Sequence, residues 1–268
     1  MIDLSGKVAL VTGGGSGVGD AVARQFIKLG AKVAIAGRRA AVLDQLAESC
    51  GALPLTCDVS DPGAVDAAIT TLTHTYGGLD IVVNSAGIAH RGTAEQISPE
   101  DWDRVIDVNL TGALNVCRRA LPELKARGGG AIVNVSSVGG ITTADSSVAY
   151  SASKAGMLGL SRSLARDFGK HNIRVNTVCP GWVDTPMVQG ALDALSNIHG
   201  ITKDQAKRLL TRWSPLGRMS EPEEIANCIS FLASSMASFV TGAVLIADGG
   251  QSIVDIGLLP LDPDAKIR

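Results

Sequence analysis

Tyr150 and Lys154 are four residues apart in Tyr150-Ser-Ala-Ser-Lys154, a spacing that puts a phenol and an ammonium on one face of a helix. That pair suits proton transfer to a carbonyl oxygen. Close to the amino terminus, the apolar run Val8-Ala-Leu-Val-Thr12 leads into Gly13-Gly-Gly-Ser-Gly17-Val-Gly19. Such a loop offers bare backbone amides at a helix start, which suits a pyrophosphate. Gly13 permits the tight turn, Gly17 lets backbone approach phosphate, and Gly19 allows helix and strand to pack closely. Gly15, Ser16 and Val18 belong to the same expected phosphate-binding loop. Either pattern alone is a weak signal. In this order on one chain they point to nicotinamide-dependent redox chemistry.

Residues at the end of a second strand choose between dinucleotides: an acid bonds the ribose 2′-hydroxyl, whereas Arg accommodates a 2′-phosphate. This chain reads Ala36-Gly37-Arg38-Arg39, with Asp44 the next acid. NADP is therefore the expected cofactor, with NAD still possible, because a guanidinium can take a bidentate phosphate contact. The competing reading makes Arg38 and Arg39 solvated helix-start residues, although cations there oppose the helix dipole. Asp58-Val59 follows the third strand, where a carboxylate can accept from an adenine amino group or simply begin a loop. Asn84-Ser-Ala-Gly87 ends the fourth, and small Ala86 and Gly87 would let a ribose lie against backbone.

Short β-branched runs at 7–11, 32–36, 53–57, 79–83, 131–135, 174–178 and 243–247 read as strands. Most are apolar throughout, as parallel strands covered on both faces must be. Helical segments at 17–29, 40–49, 62–76, 99–121, 148–168 and 223–233 alternate with them. The expectation is an α/β fold: a single-domain Rossmann arrangement with a doubly wound parallel sheet of about seven strands. Residues 184–218 break the rhythm, with no strand and a poor helical pattern. They are expected to form a long irregular lid over the ligand crevice.

These pieces together resemble a classical short-chain dehydrogenase/reductase over essentially residues 5–250. The text that carries the likeness is Thr12-Gly-Gly-Gly-Ser-Gly-Val-Gly19, Asn84-Ser-Ala-Gly87, Asp107-Val-Asn109, Val135-Ser-Ser137, Tyr150-x-x-x-Lys154 and Cys179-Pro-Gly181. Ser85 departs from the family's usual Asn. The resemblance implies a catalytic tetrad of Asn109, Ser137, Tyr150 and Lys154, with Ser137 chosen over Ser136 by family spacing. Tyr150 would act as general acid/base, Ser137 would bond the substrate oxygen, and Asn109 would position a water linking Lys154 to solvent. Lys154 would hold the nicotinamide ribose and lower the Tyr150 pKa. Pro180, Gly181, Val183 and Thr185 would close on the nicotinamide, the last two holding its carboxamide.

Composition narrows the alternatives. The 268 residues carry a net charge of −2, with 3% aromatics and no Lys/Arg run beyond two, which argues against nucleic acid or an anionic membrane. No apolar stretch approaches the ~18 residues of a membrane span. The five cysteines show no C-x-x-C spacing and read as free thiols in a reducing, cytoplasmic setting. Four scattered histidines lack metal-ligand spacing, and no metal is expected. His90 and His199 fall near the expected substrate mouth. The function read from these residues is hydride exchange between a nicotinamide cofactor and a small secondary alcohol or ketone. The alternatives are a non-enzymatic dinucleotide sensor or scaffold, which has no need of a Tyr–Lys pair, and a methyltransferase, which has no role for one. The resemblance also implies a homotetramer, to which the apolar tail at 251–268 is expected to contribute.

Overall fold

Seven apolar runs form one sheet: β1 (Val8–Thr12), β2 (Lys32–Gly37), β3 (Leu53–Thr56), β4 (Ile81–Asn84), β5 (Gly130–Val135), β6 (Ile173–Pro180) and β7 (Val244–Ala247). The structure is a computed structural model that describes residues 2–255. All strand pairs are parallel, in the order β3-β2-β1-β4-β5-β6-β7. The chain winds outward from β1 to β3, then returns to start the other half at β4. That reversal opens a crevice beyond the carboxyl ends of β1 and β4, where ligands bind in such sheets.

The strands are buried on both faces because helices cover both. On one face, Phe26, Val22, Ile225 and Ile229 pack on Val11, Ile35, Val83 and Val133. They come from α1 (Gly17–Lys28) and α9 (Pro222–Ala233), and α2 (Ala40–Cys50) adds Leu43 and Leu46. On the other, Ile69 and Leu72 of α3 (Pro62–Tyr76), Val116 and Leu124 of α5 (Gly112–Ala126), and Leu164 of α6 (Val148–Phe168) pack on Leu10, Val82, Ile132 and Val175. Neighbouring strand residues such as Leu10 and Val11 thus serve opposite layers, as the period of two requires.

Two expectations are corrected. The single helix expected over 99–121 is α4 (Pro99–Ile106), a π-helical turn at Asp107–Thr111 and then α5, which continues past Pro122. The irregular lid expected at 184–218 is instead mostly helical, with α7 (Pro186–His199) and α8 (Lys203–Thr211). Pro186 occupies the first turn of α7, left-handed Gly200 ends it, and Thr202 and Gln205 form a reciprocal capping box that starts α8. Val188, Leu192, Ala206 and Met219 then make a small core of their own, packed with Trp182, Leu195 and Leu210. Burying Leu192 alone contributes ~1.5–3 kcal/mol. The expected apolar tail lies outside the described residues, except for a short turn at Gln251–Ile253 and the two residues after it. All five cysteines are free. Among the described residues no helix is long and apolar enough to cross a membrane.

Candidate functional site

Glycine is required in the first loop by contact as well as by conformation. Gly13 and Gly17 have φ of 66° and 55°. A Cβ on Gly13 would lie 2.8 Å from the backbone of Ala86, and one on Gly19 would lie 2.2 Å from the Gly13 carbonyl oxygen. Gly14 is equally tight against Ile35, whereas a Cβ on Gly15 would meet only side chains, Val42 at 3.3 Å and Leu43 at 3.5 Å. Ser16 stands at the N-cap of α1 but makes no capping bond, so the amides of Gly17, Val18 and Gly19 are not answered by a side chain. The loop is therefore pressed onto the β4 end with uncapped donors at a helix start, a cradle that fits a pyrophosphate.

Thr12 ties the two halves of this crevice together, although its part was not evident from sequence. Its hydroxyl oxygen accepts from the amides of Ser85 and Ala86, both at 3.2 Å. Asn84 does not face the crevice through its side chain. That amide donates to Asn134 Oδ1 at 2.8 Å and to Cys117 Sγ at 3.3 Å, both in the interior. Gly87 faces the crevice: a Cβ there would meet Asn109 Oδ1 at 3.4 Å and Lys154 Nζ at 3.5 Å.

Arg38 and Arg39 are both exposed past the end of β2. Arg39 Nη2 lies 3.4 Å from Ser16 Oγ, so this guanidinium leans over the glycine loop. Arg38 is close enough to Asp58 to help stabilise its anion. The larger influence on Asp58 is Ser60, whose hydroxyl and amide donate to Oδ1 at 2.7 and 3.0 Å and hold the carboxyl below its ordinary range. Val59 is buried, and its carbonyl accepts from Asn115.

Around Tyr150 the elements converge. Ser137 ends β5's extension and caps a short turn at Val138–Gly140, its Oγ accepting from Gly139 N at 3.0 Å. Burial pushes the Tyr150 phenol up, and its hydrogen bond with Ser137 partly offsets this. Ser136 acts elsewhere, since its hydroxyl donates to the Lys154 carbonyl at 2.8 Å and pins α6 to β5. Geometry thus separates two serines that the residues alone left unranked.

Lys154 is 5% exposed and donates to the Val135 carbonyl at 2.8 Å. Burial lowers its pKa to about 8. Its ammonium lies 5.7 Å from the Tyr150 ring centroid. The expected lowering of the Tyr150 pKa by Lys154 is not found; burial dominates, and Ser137 supplies the offset. Asn109 is fully buried, with Oδ1 accepting from Ile88 N and Nδ2 donating to Ile88 O and to Ser153 Oγ. Both amide hydrogens are committed. Ser153 in turn donates to the Tyr150 carbonyl, a link with no sequence signal of its own.

The segment after β6 lies beside the glycine loop. Gly181 N donates to the Ala247 carbonyl, and a Cβ on Gly181 would lie 2.9 Å from Asp248, while Pro180 is the last residue of β6. Val183 bridges to Ser220, and Thr185 begins α7 with its methyl 3.0 Å from where a Gly17 Cβ would be. Of the histidines expected near the mouth, His90 pairs with Asp101 at 3.4 Å, and His199 sits at the far end of α7.

Known proteins resemble this chain over most of its length. Residues 13–252 match the family described as enoyl-(acyl carrier protein) reductase. The chain is 39% identical to D-threitol dehydrogenase of Mycolicibacterium smegmatis, covering 93% of this chain and 94% of that one. It is 40% identical to a 3-oxoacyl-(acyl-carrier-protein) reductase of Chlamydia muridarum, covering 93% and 98%. The structure of L-sorbose reductase from Gluconobacter frateurii, solved with NADPH and L-sorbose, superposes with a TM-score of 0.90 at 32% identity, covering 95% and 99%.

Proposed function

This chain belongs to the short-chain dehydrogenase/reductase family, enzymes that act on CH–OH groups, and we propose that it interconverts a small secondary alcohol and its ketone with NADP(H). The observation that supports this reading best is the clustering of Ser137 with Tyr150 and of Lys154 with both the Tyr150 ring and Gly87, in a chain that also carries an uncapped glycine cradle. NADP(H), when bound, supplies or accepts the hydride. Tyr150, kept protonated by burial, donates the phenolic proton to the nascent alkoxide, and Ser137 bonds that same oxygen. Lys154 holds the ribose hydroxyls and the charge left on Tyr150. The Asn109 amide hydrogens are committed to Ile88 O and Ser153, so its side chain serves to hold the Ile88 backbone and Ser153 rather than to donate to a water. Val183 and Thr185 hold the carboxamide. The named relatives differ in substrate, so substrate identity is left to a screen of carbonyl compounds and alcohols with each cofactor.

Arg38 and Arg39 carry the preference for NADP(H). Arg38→Ala is expected to weaken NADPH binding by about tenfold, which is ~1.4 kcal/mol, and to leave NADH binding nearly unchanged. Titration of both cofactors against wild type and variant checks this. Equal or tighter NADH binding by the wild type would overturn the preference and leave the family reading intact.

We also infer a cytoplasmic homotetramer. The edge strand β7 leaves Ile246 43% exposed, and Met236 and Phe239 just before it are 58% and 104% exposed. Apolar groups on an open sheet edge favour association with a further copy. Light scattering at micromolar concentration should report a tetramer; a monomer would refute it.

A further inference from the structure

The hollow at the opposite pole of the molecule has no part in this chemistry. It measures about 480 Å³ and is lined by Lys125, Arg166, Asp167, Phe168, Lys170 and His171. Lys125 belongs to the last turn of α5, and the others to the end of α6 and the turn after it. Tyr150 is at the start of α6, so at ~1.5 Å per residue the hollow lies roughly 27 Å from the phenol. No ligand spanning the cofactor crevice reaches both.

Three permanent cations and a histidine face one acid here, in a chain whose net charge is −2. Some basic side chains elsewhere are neutralised, Arg119 by Asp66 and Glu123, Arg127 by Asp80, and Arg218 by Glu224. Lys125, Arg166 and Lys170 have no ion-pair partner among the described residues. Two helix carboxyl ends account for some of this charge, since each favours a cation in its last turn. They do not account for a hollow between the cations. Lys125 is also pre-ordered: its ammonium sits 5.0 Å from the Phe168 ring centroid, which restrains a long side chain without cancelling its charge. Phe168 is itself stacked obliquely with His171 at 6.3 Å.

We propose that this hollow binds a small polyanion, a molecule carrying two phosphates or several carboxylates, at a site separate from the cofactor. The volume suits a small ligand, and oriented cations with no internal partner are the chemistry that recognises one.

Pyrophosphate is the probe, titrated calorimetrically at low salt into the full chain saturated with NADPH, which blocks the glycine cradle. The expected result is saturable binding of one anion per chain. The Lys125→Gln/Lys170→Gln double variant should weaken it at least tenfold with an unchanged melting temperature, and Lys28→Gln, an exposed lysine elsewhere, should not weaken it. No saturable binding at millimolar pyrophosphate would overturn the proposal. So would equal weakening by Lys28→Gln, which would mean diffuse attraction. Binding of polyglutamate through the same lysines, with pyrophosphate silent, would reassign the surface to an acidic protein and also overturn it.

Discussion

Replacing Tyr150 by Phe is expected to cut ketone reduction at least about a thousand-fold, or ~4 kcal/mol of barrier, while NADPH affinity changes less than about twofold. The substitution removes one oxygen and leaves the ring, so packing near Gly139, whose Cβ position is 3.5 Å from Tyr150 Cε1, is kept. What is lost is the transferable proton and the bond to Ser137. Lys154→Met should behave differently. Turnover and cofactor affinity should both fall if that ammonium holds the ribose as well as the charge on Tyr150, as proposed, yet the fold should become more stable. A folded pKa of about 8, against ~10.4 in the unfolded chain, means that the unfolded state binds more protons between those values. The contribution of Lys154 to stability therefore rises with pH across that window, and at neutral pH the buried cation costs up to ~3 kcal/mol. Steady-state rates, cofactor titrations and denaturant melts measure all of this. If Tyr150→Phe kept more than about a tenth of the wild-type rate, the proton-donor role would be wrong.

The architecture was readable because each strand carries its own signal. Residues such as Val82 and Val83 are both apolar because each serves a different layer, and continuous apolar runs divided by helices admit few topologies. The two helices within residues 184–218 were not legible because their signals are local. Thr202 and Gln205 spell a capping box, and Gly200 a left-handed stop, but α8 is short and polar, and its apolar residues are matched by α7 rather than by the sheet. Periodicity along one element misses a core shared between two small ones.

The site divides in the same manner. Positions fixed by spacing, such as Tyr150 with Lys154, are adjacent in space because a helix turn makes them so. Relations that cross elements were not legible. Thr12 holding the Ser85 and Ala86 amides joins β1 to β4, and Ser136 holding the Lys154 carbonyl joins β5 to α6. The direction of the Tyr150 shift was missed for a related reason: charge is visible in sequence, whereas burial is a property of the assembled fold.

Gly19→Ala is expected to weaken NADPH and NADH equally, by at least about thirty-fold, and to cost ~1–3 kcal/mol of stability. The added methyl would sit 2.2 Å from the Gly13 oxygen, 2.7 Å from its carbon and 3.0 Å from Gly14 Cα. Every one of these atoms is backbone, so no rotamer change relieves the contact. Gly13 cannot retreat either, because its own Cβ position is already 2.8 Å from Ala86 N and Cα. The loop must therefore lift off the β4 end, and with it go the amides that α1 presents to a phosphate. Gly190→Ala is the matched control: it lies in α7 with nothing within 4 Å of its Cβ position, and Ala there should be neutral or stabilising by ~0.5–1 kcal/mol. Equal loss for the two cofactors separates this effect from that of Arg38→Ala, which acts on NADPH alone. A Gly19→Ala protein that bound NADPH within threefold of wild type would show that the cradle assigned to the glycine loop is not where the dinucleotide phosphates rest.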